Sequence, residues 1–152
     1  MISKDVFKKK IANDGVNIEL GPFSFNIKTT LPNVIEEVYV NYKNHEFSDT
    51  NKFIDFHVSL ERPQGIRRWI KPNVEFLFDG HKPFKPLPLT QAYPMLEWGM
   101  NWCVTSQLNT HLVIHAAVIE KNGFAAVMPA PPGSGKSTLT ASLIQEGWRL
   151  LS

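Results

Sequence analysis

The sequence predicts an α/β chain: a mixed α+β N-terminal module followed by a strand, loop and helix near the C-terminal end. Three observations lead there. Apolar and polar residues alternate over Val16 to Leu20, Phe23 to Ile27 and Phe53 to Leu60, the period of half-buried strands. Apolar residues recur at helical spacing in the segments between and around them. Finally, a glycine- and serine-rich loop, Ala130 to Thr138, sits between a short apolar run and a helical pattern.

The first element is a short amphipathic helix. Ile2, Val6, Phe7 and Ile11 share one face, and Asn13-Asp14-Gly15 ends it. Val16 to Leu20 and Phe23 to Ile27 then form a hairpin-like pair across Gly21-Pro22. Leu31-Pro32-Asn33 opens a second helix through Val34, Ile35, Val38, Tyr39 and Tyr42, with Pro32 in the first turn, where its missing N–H costs nothing. Asn44 to Asn51 is polar and reads as a loop.

Phe53 to Leu60 reads as a strand with Asp55 and His57 on its polar face. That pair has the makings of acid–base chemistry, but a strand turning one face to water gives the same pattern. Trp69-Ile70 and Val74 to Phe78 read as further strands, with Asp79-Gly80 as a turn. The prolines of Phe84 to Pro88 exclude a central strand, because they lack N–H donors, so this segment reads as a connector. From Pro94, the residues Met95, Leu96, Trp98, Met100, Trp102, Cys103 and Val104 give an apolar helix. The expected domains are residues 1–88, a connecting helix over 89–110, and a nucleotide-binding core over 111–152.

In that last part Leu112 to Ile119 reads as a strand containing His115, and Asn122-Gly123 is a hairpin turn. Phe124 to Met128 is a continuous apolar run, the pattern of a strand buried on both faces. Ala130-Pro131-Pro132-Gly133-Ser134-Gly135-Lys136-Ser137-Thr138 follows the P-loop spacing G-x-x-x-x-G-K-[ST], with alanine in the first glycine position. Small residues let backbone N–H groups turn inward onto phosphate oxygens. Gly133, Ser134, Gly135 and Lys136 are expected to supply those amides, within a binding stretch from Pro132 to Thr138. The Lys136 ammonium is expected on the β/γ-phosphates and the Ser137 hydroxyl on Mg2+. Leu139, Ser142, Leu143 and Glu146 continue as a helix whose N-terminus faces the phosphate, and Gly147 caps it.

The totals narrow the class. At 152 residues and a formal charge of +2, the chain has neither the basic excess nor the striping of a nucleic-acid or membrane-surface binder. Its single cysteine, Cys103, excludes an internal disulfide and suits a reducing cytoplasm. It lies far from any activating base in sequence and reads as structural. No apolar run reaches the roughly 18 residues of a membrane span. Arg149-Leu150-Leu151 starts a new apolar run just before Ser152, so the chain is expected to be a C-terminally truncated part of a longer one.

Ile114-His115-Ala116-Ala117-Val118-Ile119, the Asn122-Gly123 turn, the apolar run, the loop and Gly147-Trp148-Arg149-Leu150-Leu151 together resemble the start of an HPr kinase/phosphorylase catalytic domain. They are most similar to the bacterial HPr-kinase-related proteins. The resemblance implies an ATP- and Mg2+-dependent kinase acting on a Ser/Thr hydroxyl of a protein or peptide, cytoplasmic, with homo-oligomers known in the family. It implies that Lys136 and Ser137 are the loop lysine and hydroxyl, and that His115 belongs to the active-site region. It also implies acidic residues just beyond Ser152 as metal ligands and base. A nucleotide-binding regulatory or interaction module without phosphoryl transfer is the alternative.

Overall fold

A computed structural model describes residues 3–43, 45, 47, 53–65, 72–109, 112–131 and 133–151. They form a mixed α+β chain with four helices and two sheets, dividing into two units, Met1–Gln107 and Leu108–Ser152. No helix among the described residues is long and apolar enough to cross a membrane.

Alternation builds the first sheet. Its strands are β1 (Val16–Leu20), β2 (Phe23–Thr29), β3 (Phe56–Glu61), β4 (Asn73–Phe78) and β5 (Leu87–Pro88), hydrogen-bonded in that order. β1 and β2 are the expected antiparallel pair, whereas β2 and β3 run parallel. A parallel pair needs a crossover, and the helix α2 (Pro32–Tyr42) supplies it, with Pro32 in its first turn as expected. The register sets Val16 opposite Ile27, Ile18 opposite Phe25, Phe25 opposite Phe56, and Leu60 opposite Phe76. These side chains therefore share one face, and all of them are buried.

Helices cover that face. α1 (Lys4–Asn13) contributes Phe7 and Ile11, and α2 contributes Val34, Ile35 and Val38. α3 (Ala92–Gln107) contributes Met95, Leu96, Met100 and Cys103 to the same core. The segment read as a connecting helix over 89–110 thus packs inside the first unit. Its apolar stripe is the last wall of the core, and the hydrophobic effect places it there. Gly99 allows close approach: a Cβ at that position would lie 2.3 Å from Phe76 Cε2.

Other boundaries differ from the sequence reading. β3 begins at Phe56, where the ladder to β2 starts at Phe25; just upstream the contact passes to the Asp55 side chain on Ser24, and Phe53 is exposed. The proline-bearing Leu87–Pro88 does enter the sheet, but only as a two-residue edge strand, the position that tolerates a missing donor. The Trp69-Ile70 strand and most of the Asn44–Asn51 loop fall outside the described residues.

The second unit holds β6 (Ala116–Lys121), β7 (Phe124–Pro129), α4 (Lys136–Gln145) and β8 (Arg149–Leu150), with β6 central and antiparallel to both neighbours. Asn122 and Gly123 turn the β6–β7 hairpin with φ of 54° and 82°, the conformation the Asn-Gly signal predicts. Past α4, Trp148 N–H reaches Leu143 O at 3.1 Å and Gly147 N–H reaches Ile144 O at 3.0 Å, a Schellman cap.

Two expectations fail here. The strand foreseen from Leu112 starts at Ala116, whose hairpin partner is Pro129. No strand residue remains opposite His115 and the residues before it, so Leu112 to His115 lie outside the sheet. The run Phe124 to Met128 is not buried on both faces: β7 is a sheet edge, with Phe124 79% and Val127 53% exposed. Ile119 is the buried apolar residue among the described residues of this unit.

Candidate phosphate-binding site

The β7–α4 connection carries the candidate site. Gly133 and Gly135 take φ of 78° and 87°, and a Cβ on either would meet no atom within 4 Å. Their glycine requirement is therefore one of backbone conformation rather than space. Ala130 is not among the positive-φ residues, so the position where the motif has its first glycine accepts a side chain. Ser134 N–H donates to Pro131 O at 3.3 Å and tightens the turn.

Gly135 is the N-cap of α4 and offers no side-chain cap. The first i→i−4 bond runs from Leu139 N–H to Gly135 O at 2.9 Å. The amides of Lys136, Ser137 and Thr138 come before it, at the positive end of the helix dipole. Lys136 Nζ folds back over the loop, donating to Ala130 O at 2.5 Å and Pro131 O at 3.3 Å. Both acceptors are backbone oxygens, so no carboxylate neutralises the ammonium in these contacts.

A cleft of about 420 Å3 opens beside the loop, with Lys136, Ser137 and His115 in its wall. The pairing of Ala116 with Pro129 explains the meeting. It delivers His115 to the level of Ala130, where the loop starts. Thr140 and Ala141 of α4 and Leu150 of β8 line the same cleft.

The predicted residues are thus only partly gathered. His115, Lys136 and Ser137 share the cleft, Gly133, Ser134 and Gly135 shape the loop, and Pro132 lies outside the described residues. Thr138 is exposed and does not line the cleft; its carbonyl accepts the Ser142 hydroxyl at 3.1 Å. Sequence reading missed Thr140, which is buried in the cleft wall with its hydroxyl on Lys136 O at 2.8 Å. Its position four residues beyond Lys136 was the available signal.

Fit to a polyphosphate rests on these amides and one unneutralised ammonium. For a divalent cation the Ser137 hydroxyl is a suitable hard oxygen ligand. No cluster of three His, Cys, Asp or Glu able to hold a metal occurs among the described residues.

The other weighed candidates are structural. Asp55 accepts Ser24 N–H and Ser24 Oγ–H, both at 2.8 Å, which joins β2 to the approach to β3. His57 is exposed beside it. Cys103 is fully buried, and burial, with the nearby Asp79 charge, pushes its thiol up to about 12. It is no nucleophile at neutral pH. Compared with known proteins, the chain finds no match among family models, curated sequences or solved structures.

Proposed function

We propose that this chain is part of an ATP-dependent kinase of the HPr-kinase-like class, cytoplasmic, which transfers phosphate to a Ser/Thr hydroxyl on a protein or peptide. One observation carries the reading. Two left-handed glycines, an uncapped helix N-terminus and a lysine over the loop occur together, on a strand-loop-helix whose loop begins at the level of His115.

When bound, Mg-ATP supplies the transferable phosphoryl group, and the cation offsets its charge. The chain's own residues have simpler tasks. The amides of Gly133, Ser134, Gly135 and Lys136 donate to phosphate oxygens, Ser134 giving up its bond to Pro131 O, and the helix dipole favours the anion. Lys136 exchanges neutral carbonyl partners for phosphate oxygens, a charge-assisted bond that is the stronger of the two. Ser137 offers its hydroxyl to the cation, and His115 lines the cleft beside them.

Titration of the 152-residue chain with fluorescent Mg-ATP tests the proposal. Saturable binding that Lys136→Ala weakens about tenfold or more is expected, the loss of one charged hydrogen bond. Equal binding by wild type and Lys136→Ala would refute it. Nucleotide binding by a longer chain that never transfers phosphate to any hydroxyl would select the regulatory-module alternative.

A further inference from the structure

A second cleft, of about 440 Å3, opens in the first unit, between the β1–β2 hairpin, the end of α2 and one stripe of α3. Its size falls in the range of small-molecule sites. The stripe holds Glu97, Met100, Asn101 and Val104, spaced i, i+3, i+4 and i+7, which puts all four on one side of the helix. Phe23 and Phe25 face them from the hairpin.

Glu97 is the chemically distinctive member. Tyr42 Oη donates to its Oε1 at 2.7 Å, and Tyr93 Oη donates to the same oxygen. Asn41 Nδ2 donates in turn to Tyr93 Oη at 2.9 Å. Both phenols have their pKa raised, by burial first and by the Glu97 carboxylate second, so they remain donors across the neutral range. Among the described residues both phenols donate to Oε1, and no donor reaches Oε2. A pure latch between α2 and α3 would be served by a neutral acceptor; a carboxylate adds a charge to an apolar cleft.

Among the described residues no lysine or arginine lines this cleft, and the histidine that does, His45, packs its ring against Tyr42 at 5.5 Å between centroids. A carboxylate beside aromatic faces favours a cation, through direct attraction and through the negative faces of the rings. An anion would be repelled, and a wholly apolar ligand would strip water from Glu97 without replacing its hydrogen bonds.

We propose that this cleft binds a small organic amine, its ammonium on Glu97 Oε2 and its hydrocarbon part against Phe23, Phe25 and Met100. The site belongs to the first unit and does not depend on the kinase reading. The amine is recognised by its charge at one end and its apolar body at the other.

Two-dimensional amide NMR on the full chain tests it, with phenethylamine as the probe and phenylacetate as the anion of similar shape. Saturable shifts at Tyr42, Glu97, Met100 and Asn101 are expected from the amine alone. Glu97→Gln keeps the acceptor for both tyrosines and removes the charge; it should weaken binding about tenfold or more. Asn101→Trp, at an exposed α3 position, should block the cleft without entering the core. Absence of saturable shifts, equal shifts from phenylacetate, or unchanged affinity in folded Glu97→Gln would overturn the proposal. Should Glu97→Gln fail to fold, unchanged amine affinity in Asn101→Trp would overturn it alone.

Discussion

Lys136 Nζ donates to the carbonyl oxygen of Ala130 at 2.5 Å, a side-chain-to-backbone bond between residues six apart in sequence. Ala130 contributes only its carbonyl, so Ala130→Gly should change nucleotide affinity by no more than about twofold, whereas Lys136→Ala should cost about tenfold or more. Fluorescent Mg-ATP titration of the two variants checks this. A large loss in Ala130→Gly would mean that the methyl group shapes the loop.

Gly135→Ala imposes a left-handed φ on an L-residue, at a cost of about 1–2 kcal/mol. Its Cβ meets no neighbour, so the strain should appear as a distorted loop. Nucleotide affinity should drop while the urea midpoint of the first unit stays put. Wild-type affinity would show that the loop reaches its binding conformation without this φ.

Gly99→Ala drives a methyl group into the Phe76 ring. Overpacking of this kind costs about 1–3 kcal/mol, and Phe76→Leu in the same chain should recover part of it. Urea unfolding of the two singles and the double provides the comparison. Strict additivity would contradict direct contact.

Asp55→Ala removes the acceptor for two Ser24 donors and should destabilise by about 1–2 kcal/mol. The exposed His57→Ala should stay within about 0.5 kcal/mol. Similar losses at both positions would point to a coupled pair rather than a structural clamp.

Cys103 gives a pH dependence with a defined sign. The unfolded thiol ionises near its ordinary value of about 8.5, while the buried one is pushed up to about 12. Its contribution is complete below the unfolded value and is lost as pH rises towards the folded one. Between about pH 7 and 9.5, wild type should therefore lose more stability than Cys103→Ala, before the tyrosines titrate. Parallel curves for the two proteins would rule this out.

How much of this was legible in the residues differs from element to element. Strand alternation placed Val16 to Ile27 and Val74 to Phe78 well, since period two reports a half-buried surface directly. It overran at Phe53 and Leu112, because a strand ends where its ladder to a neighbour ends, and the neighbour is remote in sequence. The apolar run Phe124 to Met128 suggested full burial, yet β7 is a sheet edge. Composition records what a strand can bury, not what covers it.

The glycine turns, the proline at the start of α2 and the cap at Gly147 follow from the sequence alone, since each answers a φ or hydrogen-bond demand settled within a few residues. The left-handed Gly133 and Gly135 of the β7–α4 connection belong with them. Tertiary structure decided the rest. It ran β2 parallel to β3, drew α3 into the first core, set His115 beside Lys136, and joined Tyr42 to Glu97 across 55 residues. Those pairings arise from burying shared apolar faces, a property of the whole chain that no single stretch of it carries.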